Sequence, residues 1–77
     1  MPRITPVRWQ ILECIFKKAG FSFERQKGDH KVYSKTGIHR PVIIPTYKEV
    51  RLDIIKSNMR TAKMTNKEYF QFLEECK

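Results

Sequence analysis

"FSFERQKGDHKVYSKTGIHRPVIIP", residues 21–45, is the stretch whose reading decides the fold. Apolar and polar residues alternate at its start, and Gly28-Asp29 and Thr36-Gly37 divide it as tight turns do. The segment therefore reads as three strands, over 21–27, 30–35 and 39–45. Connections this short cannot make a crossover, so the strands form an antiparallel meander. Phe21 and Phe23 fall on one face of the first strand. Pro41 has no amide hydrogen to donate, which places it at an edge or a strand start.

The flanks are helical. Upstream, Leu12, Ile15, Phe16 and Ala19 recur at i, i+3, i+4 and i+7, with Trp9 and Ile11 beside them. Thr5-Pro6 supplies a cap and a first-turn proline, and Gly20 a left-handed stop, so a helix is predicted over 6–19. Downstream, Leu52, Ile55 and Met59 make one face of a helix over 48–60, with Val50 and Ile54 adjoining. "TNKE", residues 65–68, is a capping box opening a third helix to about residue 75, with Tyr69, Phe70, Phe72 and Leu73 as its apolar residues. The expected class is α+β: one domain over residues 1–77, with helices on one face of a three-stranded antiparallel sheet.

Composition narrows the function. Sixteen Lys and Arg stand against eight Asp and Glu, a net charge of +8. Residues 1–48 hold 10 basic and 3 acidic side chains, so the excess sits in the front of the chain. One surface facing a polyanion is the functional reading; solubility or an acidic protein partner would explain the same charge. No run approaches the roughly 20 apolar residues of a membrane span, and no apolar stretch follows Arg3 as in a signal peptide. A cytoplasmic protein that does not engage a membrane is expected. Two cysteines, Cys14 and Cys76, are too few and too far apart for a disulfide framework. With His30 and His39 they match no usual zinc spacing, so no metal and no cofactor are expected.

No glycine-rich phosphate loop is present. The chemistry-bearing feature is His30, beyond the Gly28-Asp29 turn, with Arg25, Lys27, Lys31 and Lys35 near it in sequence. A histidine takes and returns a proton near neutral pH. RNA carries its own nucleophile, the 2′-hydroxyl, and cations stabilise the charge that grows on phosphorus. One histidine and a few cations thus suffice for metal-free RNA cleavage. On residue chemistry alone a turn histidine is the plainer reading, and the four cations read as solvated. His39 is a candidate phosphate contact. Tyr33 and Tyr47 are candidates for stacking on bases, although aromatics beside a small sheet more often pack.

"AGFSFERQKGDHKVY", "RPVIIPTYKEV" and "IIKSNMRTAKMTNKEYFQFL" together resemble the HicA (YcfA-like) toxin family of type II toxin–antitoxin systems, from about residue 5 to residue 73. The resemblance implies a double-stranded-RNA-binding-like α-β-β-β-α fold, here with an extra C-terminal helix. It implies an endoribonuclease that cleaves mRNA and arrests translation as part of a stress response, and that a HicB-like antitoxin holds inactive. The family's catalytic histidine falls on His30, and Gly28 and Asp29 match the turn presenting it. Arg25, Lys27, Lys31, Lys35 and Tyr47 become the expected RNA contacts. Many members carry a second histidine shortly after the third-strand proline; Tyr47 stands at or near that place. The free toxin is expected to be a monomer. The alternative is a non-catalytic RNA-binding module of the same fold.

Overall fold

In the computed structural model, which describes residues 3–77, the element order is α1 (Trp9–Lys18), β1 (Ser22–Lys27), β2 (His30–Ser34), β3 (Val42–Pro45), α2 (Leu52–Ala62) and α3 (Asn66–Cys76). The strands lie in the order β1-β2-β3, all antiparallel. The class is α+β, as the hydrophobic periodicities predict.

Helix α1 ends in a Schellman arrangement. Gly20, at φ +102°, takes the left-handed position, and the amide of Phe21 donates to the Phe16 carbonyl at 3.0 Å. The two phenyl rings then meet edge to face at 5.6 Å, the apolar contact that accompanies this stop. The capping box forms as read: the Glu68 amide donates to the Thr65 hydroxyl at 3.1 Å, and the Thr65 amide donates to the Glu68 carboxylate at 2.9 Å.

Two helix starts differ from expectation for one reason. The Val50 amide donates to the Val7 carbonyl at 2.7 Å, an isolated antiparallel bridge between the segments preceding α1 and α2. Each segment must be extended to make it. Helix α1 therefore starts at Trp9, with Arg8 as an extended N-cap that makes no side-chain cap, and Thr5-Pro6 lies outside it. Helix α2 likewise starts at Leu52. The third strand is also shorter than 39–45, beginning after Pro41.

The core lies on one side of the sheet. Tyr33, Val42 and Ile44 point into it and meet Leu12, Ile15 and Phe16 of α1, Ile55 and Met59 of α2, and Val50. Asn58 of α2, itself buried, donates to the Ile43 carbonyl at 2.9 Å and ties that helix to edge strand β3. Helix α3 packs against α1 through fully buried Tyr69, whose hydroxyl has no hydrogen-bond partner among the described residues. Burial pushes that phenol up to about 12.

The cysteines correct the sequence reading. Cys14 of α1 and Cys76 at the end of α3 form a disulfide, their Cα atoms 5.9 Å apart. They are 62 residues apart in the chain, and only the docking of α3 brings them together.

Candidate functional site

The register of the β1–β2 hairpin builds the site. Phe23 pairs with Tyr33, but the next partners are Arg25 and Val32, so Glu24 is an extra residue in β1. Strict alternation would put Arg25 and Lys27 on the same face as Phe23, toward the helices. The bulge re-aims them. Arg25 comes beside Val32, and Lys27 pairs with His30. Across β2, His30 pairs with Pro45 and Val32 with Ile43. These residues line the face that the helices leave open.

On that face lies a groove of about 580 Å³, lined by Arg25, Lys27, Gly28, Asp29, His30, Val32 and Ile43. Val32 and Ile43 give it an apolar floor, and Ile43 remains 43% exposed. His30, exposed at the head of β2, stands at one end with Lys27. Gly28, at φ +59°, supplies the left-handed backbone of the turn. The Asp29 carbonyl accepts from both the amide (2.7 Å) and the hydroxyl (3.0 Å) of Thr46, clamping the turn to the segment after β3. The same clamp brings in Tyr47. Its ring centre is 6.3 Å from that of His30, at 69° between planes, and the side chain is 49% exposed. Arg25 pairs with Glu24 at 2.9 Å in solvent, while Lys27 has no ion-pair partner among the described residues.

The structure does not bring all the expected contacts together. Lys31 alternates with His30 and Val32 along the chain and so faces the other side. The Lys31 ammonium lies 2.8 Å from Glu13 and 4.8 Å from the centre of the Trp9 ring, with its side chain only 19% exposed. Lys35 donates to the Ala19 carbonyl at 2.8 Å and closes over the end of α1. Tyr33 is fully buried and donates to Glu13, so it is not a stacking platform. Burial alone would raise the Glu13 carboxyl. Hydrogen bonds from Lys31 and Tyr33, and the charges of Lys31 and Lys17, outweigh it and hold the group below the usual carboxylate range. Burial first, then the Glu13 carboxylate, pushes the Tyr33 phenol well above an ordinary tyrosine. His39 lies at the far end of the sheet, before β3, beside Gly37, Ile38, Arg40, Thr61 and Lys63.

A family model described as "HicA toxin of bacterial toxin-antitoxin" matches residues 9–64. The chain belongs to the HicA toxin family. The match runs from the first residue of α1 to just past α2 and includes every residue lining the groove. Helix α3 and the cysteine that closes the disulfide lie beyond it. No curated protein matches the chain. As a HicA toxin it is one half of a toxin–antitoxin pair, and an antitoxin is its partner in general terms. Among the described residues, no helix is long and apolar enough to cross a membrane.

The sequence reading missed Val32 and Ile43 as groove residues. Both lie inside predicted strands, and only the identity of the uncovered face tells which apolar residues of a sheet meet solvent.

Proposed function

We propose that this HicA toxin is a metal-independent endoribonuclease that cleaves mRNA at the open face of its sheet. The observation that carries the reading is His30, exposed at the head of β2 and sharing one groove with Arg25 and Lys27.

A single strand laid in the groove meets Val32 and Ile43 beneath its bases and the two cations beside its phosphates. Tyr47, edge-on to His30, offers a further surface for a base. Neutral His30 removes the proton of a 2′-hydroxyl. The 2′-oxygen bonds to the adjacent phosphorus and the bond from phosphorus to the 5′-oxygen breaks. The leaving oxygen takes a proton from solvent or from the imidazolium. The products are a 2′,3′-cyclic phosphate and a 5′-hydroxyl. In this reading Arg25 and Lys27 stabilise the charge on the phosphoryl oxygens along the way.

The physiological inhibitor in this reading is a HicB-like antitoxin, acidic where it meets the groove, and the free toxin acts as a monomer in the cytoplasm. The test is chemical. Purified toxin incubated with a single-stranded RNA and with DNA of the same sequence should cut only the RNA and leave cyclic phosphate ends. Cleavage of the DNA, or 5′-phosphate products, would rule out attack by the 2′-oxygen.

A further inference from the structure

A second group of cations lies along α2 and the loop before β3. Residues 54–67 hold Lys56, Arg60, Lys63 and Lys67 and no carboxylate, and residues 30–48 hold no carboxylate either. Arg40, Lys56, Arg60 and Lys63 are exposed, and none forms an ion pair among the described residues. The fold gathers them. Lys63 shares a depression of about 230 Å³ with His39, Arg40 and Thr61, and Lys56 and Arg60 flank another of about 370 Å³ with Met59 and Met64.

Two local rules are broken there. Lys56 and Arg60 stand one turn apart on a helix, a spacing at which like charges repel. Lys63 adopts the left-handed conformation at the end of α2 (φ 56°), a position that favours glycine, and it is the one non-glycine residue with positive φ among those described. Positions where a local choice disagrees with the local backbone are expected to be functional or strained ones.

The His30 groove leads toward this group. Ile43 lines the groove, and Arg40 is three residues upstream, within about 11 Å at the greatest extension of the chain. Asn58 holds α2 against the same strand. We propose that single-stranded RNA leaving the groove past Ile43 continues onto a second cationic surface, formed by Arg40, Lys56, Arg60 and Lys63, that holds its phosphates. The inference rests on RNA being the ligand of the groove. It adds an extended footprint, so affinity grows with RNA length while the chemistry stays at His30.

The test uses the full chain carrying His30→Ala, so that the probe survives. Binding of a uridine trinucleotide and of a long oligouridylate is titrated against salt, with and without Lys56→Gln, Arg60→Gln and Lys63→Gln together. Three phosphate contacts add about 2 to the salt slope of a single strand, so between about 50 and about 200 mM salt the parent should lose roughly twentyfold more affinity for the long RNA than the triple variant. The trinucleotide should bind both alike. Lys63→Gly is the folding control: it relieves the left-handed backbone, so the protein should melt no lower while the slope falls by about 0.7. Equal slopes for parent and triple variant would overturn the second surface and leave the groove reading standing. Equal loss on the trinucleotide would also overturn it, as a mere effect of net charge. Unchanged RNA binding with loss of an acidic antitoxin would assign the surface to protein instead. Failure of the parent to bind either RNA would remove the groove reading itself, and this inference with it.

Discussion

Reduction of the Cys14–Cys76 bond is the perturbation with the largest calculable effect. The bond joins α1 to the last turn of α3 and closes a loop with a sequence separation of 62. A loop of that size removes about 4 kcal/mol of chain entropy from the unfolded state. Small domains have total stabilities on the order of 5–15 kcal/mol, so a large share of the margin is at stake. At about 4–8 °C per kcal/mol for a domain this small, the melting temperature should fall by roughly 15–30 °C. Strain or residual structure in the unfolded chain would bring the figure toward the lower end. Helix α3 should remain docked below the transition, because Tyr69 stays buried and the capping box does not depend on the bond. The assay is a thermal melt with and without a phosphine reductant, repeated on Cys14→Ser with Cys76→Ser. The reduced protein and the double variant should melt together, well below the oxidised protein. Coincident melts for all three, or two titratable thiols in the unreduced protein, would refute the reasoning.

Two tyrosine-to-phenylalanine changes should act in opposite directions. Tyr33→Phe removes a donor to the Glu13 carboxylate and should cost about 1.5–3 kcal/mol in a denaturant titration, whereas Tyr69→Phe deletes a buried hydroxyl with no partner and should be neutral or stabilising by about 1 kcal/mol. Because the Glu13 carboxyl is held below its ordinary value, its contribution is fully present above the unfolded value of about 4.3 and is lost as pH falls through the lower folded one; an acid titration of Glu13→Gln should lack that part of the fall. RNA cleavage should persist in excess chelator, and loss of activity restored by Mg²⁺ or Zn²⁺ would contradict a mechanism built on His30. Binding of an acidic antitoxin should slow hydrogen exchange at the turn of residues 28–29 and in the strands flanking it, and equal exchange in free and bound toxin would place inhibition elsewhere.

What was legible in the sequence is what local chemistry decides. The capping box at Thr65, the left-handed stop at Gly20 and the turn at Gly28-Asp29 each use interactions within a few residues, and each forms where the residues predict it. The three strands and their antiparallel order follow from the turn residues between them and the short connections. What was not legible depends on contacts between distant segments. The Val7–Val50 bridge delays both α1 and α2, overriding a sound cap at Thr5-Pro6. The bulge at Glu24 moves Arg25 and Lys27 onto the face of His30, a shift that no reading of alternation detects. Lys31, adjacent to the histidine in sequence, falls on the covered face because a strand sends neighbours to opposite sides, and Lys35, just past the strand, is drawn to the end of α1. The disulfide was missed because its cysteines meet only when a helix beyond the family match folds back on the first helix.

The most direct test of the account is His30→Ala, read by cleavage of single-stranded RNA. His30 is exposed, and Gly28 rather than the histidine supplies the backbone freedom of the turn. The variant should therefore melt within about 0.5 kcal/mol of the parent. Arg25 and Lys27 remain in the groove, so RNA affinity should fall only slightly. Loss of the general base should slow cleavage by roughly 10²- to 10⁴-fold. A folded, RNA-binding variant that no longer cuts is the predicted result; undiminished cleavage by the folded variant would contradict the account and reduce His30 to a residue of the turn.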